Sequence, residues 1–261
     1  ACWWLRAKVT DSIEDQRKAS AISRQLAAKT AIDSGYRSLI FWYGAALGAL
    51  WFQDAHAQQL TQLSVNAITH SFNPKLNCFP LGTAMGGGSR GNQAVTIDSF
   101  ASMIQLLSSS DQNLHRFMAQ RHTETMLAAC YRDNGAVHAT AQFDGRGFEP
   151  IGQAGQWSRG QAWAMLGLSR AAALWGEPYT TLARNACGYW ITSRPDPLTP
   201  NRLGESISGY DPSASVIAAL AMLSLANLLP DGESLRIYSY RQISAVIRSQ
   251  FFTSLQTDKD S

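Results

Sequence analysis

The stretch W-S-R-G-Q-A-W, residues 157 to 163, stands directly before an apolar helical run from Met165 to Trp175. If this stretch opens the helix, its free N–H groups and the helix dipole favour a negative group in front of it. Arg159 offers a planar fork to a carboxylate, and Trp157 and Trp163 offer flat ring faces on which a sugar can stack. The alternative interpretation is a helix start with two core tryptophans and a solvated arginine.

Helical apolar spacing extends over most of the chain on both sides of this stretch. It predicts a helix that begins at Asp98, and helices over 14–31, 39–52, 55–72, 114–130, 161–175, 178–192, 213–228 and 234–252. Gly44 and Gly48 predict a close neighbour for the helix over 39–52, which we expect to be buried. Alternating residues over 136–143 predict one short ribbon, and 75–93 and 145–155 are predicted to be loops. Consecutive helical hairpins with little strand exclude a parallel α/β fold and predict an all-α hairpin array or toroid.

Length and composition exclude several classes of protein. The 261 residues suit one large domain or two small ones, and 45% hydrophobic with 16% charged residues is typical of globular proteins. The net charge of +3 is small and the basic residues are scattered, so we expect no nucleic-acid partner. No apolar run is long enough for a membrane span. A chain that begins Ala1-Cys2 fits the product of signal-peptide cleavage, which favours a secreted or periplasmic protein over a cytoplasmic one without deciding the compartment.

The four cysteines lie far apart in the sequence. They contain no C-x-x-C pair, so the sequence predicts no zinc or iron–sulfur site, and we expect neither a metal nor another cofactor. Free buried thiols and two disulfides both remain open.

Three motifs occur in an order and at a rough spacing that resemble a known family. They are I-D-S at 97 to 99, W-S-R-G-Q-A-W at 157 to 163 and D-P-S-A-S-V-I-A-A at 211 to 219. From about Gly35 to Phe252 the chain resembles the unsaturated glucuronyl hydrolases, glycoside hydrolase family 88. A sister family that acts on unsaturated rhamnogalacturonan fragments usually has R-G-N-G-W where this chain has R-G-Q-A-W. The resemblance implies a single domain over residues 1–261, an α/α toroid of the six-hairpin glycosidase type, with the site at the mouth formed by loops between helices.

The resemblance also implies a substrate and a reaction. The substrate is an oligosaccharide with a 4,5-unsaturated uronic acid at its non-reducing end, the product of a polysaccharide lyase. An aspartic acid protonates C4, water adds at C5, and the hemiketal opens and releases the sugar. The carboxylate separations of ordinary glycosidases therefore do not apply.

The resemblance assigns residues of this chain to that reaction. Asp98 matches the catalytic aspartate, whose acid–base work requires a proton near neutral pH, and the alternative is that Asp98 only caps its helix. His138 matches a histidine near the reacting ring, where it contacts substrate or Asp98, unless it is structural. Arg159 would bind the uronate carboxylate or a ring hydroxyl, and Trp157 and Trp163 would form the stacking floor, against the alternative of core packing.

Other positions depart from the family's pattern. The second aspartate of the family, in a His-Asp pair, falls here on Tyr36 and Arg37. An arginine placed near Asp98 would favour the ionised carboxyl unless a substrate anion occupies it, so Arg37 is a candidate for substrate binding. The usual His-Gln-Gly before the tryptophan motif is absent, and Gln153 is the nearest candidate for its glutamine. Asp211, which precedes Pro212, is predicted to cap its helix.

The N-terminal part is shorter than in the family, so we expect a toroid that lacks one or two helices there. Trp3, Trp4 and Leu5, a partner chain or a second copy would cover the face left open. The leading prediction is an unsaturated uronyl hydrolase. A catalytically impaired relative that binds acidic saccharides and an unrelated toroid scaffold with a structural tryptophan motif are the two alternatives.

Overall fold

The computed structural model describes residues 2–205 and 209–253, which are mostly helical. A π-helical turn, Trp42–Ala46, joins two of the helices without a break, and a three-stranded antiparallel sheet accompanies them. The helices are α1 (Cys2–Thr10), α2 (Ile13–Gln25), α3 (Arg37–Phe41), α4 (Leu47–Phe52), α5 (Ala55–Thr69), α6 (Phe100–Ser108), α7 (Asn113–Cys130), α8 (Ser158–Trp175), α9 (Tyr179–Ser193), α10 (Pro212–Ala226) and α11 (Glu233–Ile247). The strands are β1 (Ala94–Thr96), β2 (Thr140–Phe143) and β3 (Phe148–Ile151). The predicted all-α class is confirmed.

The chain divides into two compact units. The first consists of Ala1–Tyr131 and His138–Gln153 and contains α1 to α7 and the sheet. The second consists of Arg132–Val137 and Ala154–Ser261 and contains α8 to α11. A single domain over the whole chain stays a prediction.

Trp4, on a helix that apolar spacing did not predict, is a core residue of the first unit. Its indole N–H donates to the carbonyl of Gly44 at 2.9 Å, and its ring stacks on Phe52 at 5.7 Å. A Cβ on Gly48 would clash with the Trp4 ring, so the predicted close approach over these two glycines is confirmed. The helix over 39–52 is only partly buried, because Leu50 is exposed.

The sheet is more extensive than the predicted ribbon. β1 pairs with β2 so that Thr96 lies opposite Thr140, and β2 pairs with β3. The prediction of a loop over 145–155 is wrong for the four residues of β3. This strand carries Pro150, which an edge strand tolerates because it needs no N–H on its outer side.

The second unit is built around α8, which packs against α9 and α10. Small residues allow α8 and α10 to approach closely, and the Ser169 hydroxyl of α8 donates to the carbonyl of Ala221 at 3.0 Å. Residues at the start of α8 are therefore attached to a buried helix. The described part of the chain contains no disulfide, and the cysteines are thiols.

Within the described ranges, no helix combines the length and the apolar character that crossing a membrane requires.

Candidate active site

Asp98 lies where the sheet leads into a buried helix. It is the middle residue of a single 3₁₀ turn, Ile97–Ser99, between β1 and α6. Thr96 caps this turn, because its hydroxyl accepts from the Asp98 N–H at 3.5 Å, and Ser99 occupies the N-cap position of α6. The alternative in which Asp98 itself caps the helix is therefore wrong.

A phenol lies beside Asp98. The Tyr36 hydroxyl donates to Oδ2 of Asp98 across 3.4 Å, which is longer than a strong O–H···O hydrogen bond. Burial raises the pKa of Tyr36 above its usual value, the Thr96 side chain opposes this rise, and the charge of Asp98 adds to it. Tyr36 is therefore a neutral hydrogen-bond donor at physiological pH.

His138 leaves the sheet at the same end as Asp98. The Ile97 N–H donates to the Ala139 carbonyl at 2.9 Å, which extends the β1–β2 ladder by one residue beyond Thr96 and Thr140. Asp98 and His138 are the next residues along the two chains, and Asp98 lies in the 3₁₀ turn rather than in the strand. His138 is 8% exposed, and its backbone N–H donates to the carbonyl of Cys130 at 2.9 Å.

Arg37 does not take the position that the sequence comparison suggested. Its Nε donates to the Ser34 carbonyl at 3.2 Å, its Nη1 to the Thr30 carbonyl at 2.6 Å, and its Nη2 to the Ser71 hydroxyl. Burial lowers the pKa of Arg37, and the charge of Asp33 partly opposes that shift. Of the two adjacent residues, Tyr36 contacts Asp98 and Arg37 contacts a different part of the first unit.

In the second unit, Trp157 occupies the N-cap position of α8, with φ −83° and ψ 114°. The Arg159 guanidinium lies 5.4 Å from the centre of the Trp157 ring and 44% of its side chain is exposed. Its Nε is 3.6 Å from Oδ2 of Asp211. Asp211 caps α10 by accepting from the Ala214 N–H at 3.0 Å, so its predicted capping role is confirmed.

A second arginine, which the sequence analysis did not single out, fixes the backbone before α8. Arg194 is buried and donates to the Ser158 hydroxyl at 3.0 Å and to the Gly155 carbonyl at 2.6 Å. Its guanidinium also lies 4.6 Å from the ring centre of Trp190, and burial lowers its pKa to about 10. A single arginine at a helix end gives no sequence signal of such burial.

The remaining predicted site residues lie in less informative positions. Trp163 is half-buried on α8, and Gln153 is exposed after β3. Gln161, in the same motif, is fully buried and serves the backbone: its side chain accepts from the Val137 N–H at 2.9 Å and donates to the Gly135 carbonyl at 2.9 Å. Binding roles for Gln153 and Trp163 stay predictions.

Metal and thiol chemistry find no support in the part of the chain that the structure describes. That part contains no group of three or more His, Cys, Asp or Glu residues placed to bind a metal ion. Burial raises the pKa of the Cys78 and Cys187 thiols to about 12, so neither is a thiolate near neutral pH.

These features define a class: an all-α protein of helical hairpins in which a small antiparallel sheet presents a carboxylate and a helix start presents an arginine beside an indole. No family model matches the sequence, and no curated protein sequence matches it either.

Solved structures identify the particular fold. The chain is similar to the unsaturated glucuronyl hydrolase of Bacillus sp. GL1, responsible for the degradation of glycosaminoglycan, with a TM-score of 0.81 and 18% identity over 93% of this chain and 71% of that chain. For the enzyme of Streptococcus agalactiae the TM-score is 0.82 with 18% identity, covering 97% of this chain and 69% of that one. For an unsaturated glucuronyl hydrolase specific for heparin the TM-score is 0.84 with 14% identity, covering 97% and 72%. The chain therefore has the fold of the unsaturated glucuronyl hydrolases, which confirms the predicted α/α-toroid fold class and the resemblance at the level of the fold.

Proposed function

We propose that this protein is a glycoside hydrolase that acts on oligosaccharides with a 4,5-unsaturated uronic acid at the non-reducing end. The observation that carries the proposal is the position of Asp98, beside the Tyr36 hydroxyl and at the same end of the β1–β2 ladder as His138. This arrangement occurs in a chain with the fold of hydrolases of that substrate class.

Asp98 acts first as an acid and then as a base. Its protonated carboxyl transfers the proton to C4 of the vinyl ether, so that positive charge develops on C5 and the ring oxygen. Water then adds to C5 and returns a proton to the Asp98 carboxylate. The hemiketal formed at C5 opens, and the sugar attached at C1 is released without any oxidation or reduction.

Tyr36 and His138 assist Asp98 without replacing it. The neutral phenol of Tyr36 donates to Oδ2, which orients the carboxyl and stabilises it after the proton has left. His138 supplies a ring nitrogen at the same end of the ladder for the attacking water or the substrate. Tyr36 and Arg37 stand where the family has its His-Asp pair, so the carboxylate of that pair is absent here, and it is the Tyr36 phenol that contacts Asp98.

In the second unit, Arg159 and Trp157 bind acidic saccharide. The Arg159 fork binds a carboxylate or sulfate group, and the Trp157 face stacks on a sugar ring. Full burial of Trp157 and Arg159 would have favoured the scaffold alternative, whereas nearly half of the Arg159 side chain is exposed.

The test is the loss of the ultraviolet absorbance of the conjugated uronate when the protein meets unsaturated disaccharides from several lyases. We expect turnover by the native chain and none by Asp98→Asn, with an unchanged unfolding curve. Asp111→Asn is the matched control, because Asp111 is an exposed aspartate of the same unit, and it should keep full activity. Turnover by Asp98→Asn contradicts the assignment.

A catalytically impaired binding protein is the second candidate, favoured by Tyr36 and Arg37 in place of the family's His-Asp pair, which leaves that pair without a carboxylate. It predicts no loss of absorbance with any disaccharide but saturable binding that Arg159→Met weakens. Restoring a carboxylate with Tyr36→Asp would then be expected to produce turnover, and an inactive Tyr36→Asp variant would argue against this account of the impairment.

A further inference from the structure

The first unit contains a cavity that the proposed reaction does not use. Its volume is about 620 Å³, and it lies between the residues that precede α3 and the chain that follows α5. Its lining includes Arg37, Ser71 and Lys75, but neither Asp98 nor Tyr36 nor His138.

Arg37 is a buried cation in the wall of this cavity. The residue is 5% exposed, and the hydrogen bonds that its guanidinium makes within the described residues go to neutral oxygens, those of Thr30, Ser34 and Ser71. Arginine remains protonated in proteins, and the charge of Asp33 only partly offsets the cost of burying the Arg37 guanidinium, so a bound anion would restore free energy. The three hydrogen bonds use one N–H on each nitrogen, which leaves one N–H on each terminal nitrogen for a ligand.

The rest of the lining also favours an anion. Lys75 contributes a second positive charge to the wall. Asp33 contributes a carboxylate, but its Oδ2 already accepts from the Thr83 N–H at 3.0 Å and from the Thr83 hydroxyl at 2.6 Å. This carboxylate is therefore engaged by the segment between α5 and β1, and its charge acts on Arg37 without an ion pair within 4 Å among the described residues. Two cations face one engaged carboxylate.

Arg194 shows that burial alone would not justify a binding site. It is buried too, but its Nε, Nη1 and Nη2 donate to Ser158, Ser193 and Gly155, and it packs on the face of Trp190. Arg37 differs because a cavity large enough for a monosaccharide-sized ligand adjoins it.

We propose that this cavity is an oxyanion-binding site, in which Arg37 binds two oxygens of a sulfate or carboxylate group and Lys75 binds the same group or its neighbour. The site is separate from the Asp98 centre and does not depend on the hydrolase function. An acidic saccharide and a free inorganic anion both carry this chemistry.

Isothermal titration at constant ionic strength tests the proposal with three probes: sodium sulfate, sodium acetate and glucuronate. We expect saturable binding of at least one probe by the native chain. Arg37→Met should weaken this binding by about tenfold or more, and Lys75→Gln by several-fold. Tighter binding of glucuronate than of acetate assigns the site to a saccharide, and preference for inorganic sulfate assigns it to a free anion.

Two control variants separate anion binding in the cavity from general effects of charge, and further variants cover the case in which Arg37→Met does not fold. Arg90→Gln removes an exposed arginine from the segment between α5 and β1, which also contains Lys75. This variant and Asp98→Asn should leave anion binding unchanged. If Arg37→Met does not fold, Lys75→Gln and Ser71→Ala test anion binding in its place. Lys75 is exposed, and the Ser71 hydroxyl accepts a hydrogen bond from Arg37. Absence of saturable binding by the native chain overturns the proposal, as does binding that Lys75→Gln and Arg90→Gln weaken equally.

Discussion

In each of the two units a buried basic side chain fixes the backbone of a loop, and the two examples, His122 and Arg194, differ in charge state. In the first unit, Nδ1 of His122 accepts from the Phe79 N–H at 3.2 Å. In the second, Arg194 donates to the Gly155 carbonyl at 2.6 Å. A ring nitrogen that accepts must be unprotonated, whereas a guanidinium that donates is charged.

This difference in charge state predicts how the stability of each unit responds to acid. His122 is fully buried between Phe79 and Phe100, with ring centres at 5.5 Å and 6.4 Å, and burial lowers its pKa to about 3. Protonation would place an unpaired charge among aromatic rings and abolish the hydrogen bond to Phe79. Arg194 keeps its charge at all these pH values. The first unit should therefore lose stability in acid through His122, and the second should not lose it through Arg194.

Replacing Arg194 should have the largest effect on stability. Arg194→Met retains the packing on Trp190 but removes the donor to the buried Gly155 carbonyl and one of two donors to the Ser158 hydroxyl, which also accepts from the Thr199 hydroxyl at 3.3 Å. We expect a loss of about 3 kcal/mol in the free energy of unfolding, because buried polar groups lose their partners. Urea unfolding followed by tryptophan fluorescence measures it. Arg241→Met, an exposed arginine of the same unit, should change stability by less than about 0.5 kcal/mol. Similar losses in the two variants would contradict the assigned role.

The pH dependence through His122 should be the next largest effect. The pKa of His122 is about 3 in the folded chain and about 6.5 in the unfolded chain, so the unfolded chain binds more protons between these values. The free energy of unfolding therefore falls as pH falls through this window, by about 2 kcal/mol between pH 7 and pH 5. Urea unfolding at several pH values measures the slope.

The control for this slope is His122→Asn, because the Asn oxygen can accept from the Phe79 N–H in place of Nδ1. This variant cannot titrate, so we expect lower stability at pH 7 but a shallower dependence on pH than in the native chain. An unchanged slope would assign the acid sensitivity to groups other than His122. The predicted difference in acid response between His122 and Arg194 would then be wrong.

The sequence predicts the long helices better than the contacts of the site. The helices over 114–130 and 213–228 correspond closely to α7 and α10, because many apolar residues define each periodic pattern. The strands β1 and β3 have three and four residues, too few for a pattern to emerge.

Side-chain direction was the other part that the sequence could not predict. The sequence departs from the family's His-Asp pair at Tyr36 and Arg37, but it does not indicate which of these two residues faces Asp98. Their side chains point in different directions because α3 begins between them. His122 lies within α7 and Arg194 directly follows α9, at positions where a basic residue predicts a solvated surface, so their burial depends on neighbours distant in the sequence. The ladder that brings Asp98 and His138 to the same end of the sheet likewise depends on strand pairing over about 45 residues.

Replacing Asp211 should have the smallest effect on the free energy of unfolding. Its ion-pair partner is Arg159, an exposed arginine next to Ser158. Asp211 has two roles, the cap of α10 through Oδ1 and the long ion pair with Arg159 through Oδ2. Asp211→Asn keeps an oxygen for the cap and loses the charge, whereas Asp211→Ala loses both. We expect a loss of about 1 kcal/mol for the alanine variant, and only a few tenths for the asparagine variant, because an exposed ion pair at 3.6 Å contributes little. Equal losses of stability in the two variants would mean that the ion pair with Arg159, rather than the cap, stabilises the start of α10. An exposed arginine would then fix the backbone at a helix start as firmly as the buried Arg194 does before α8.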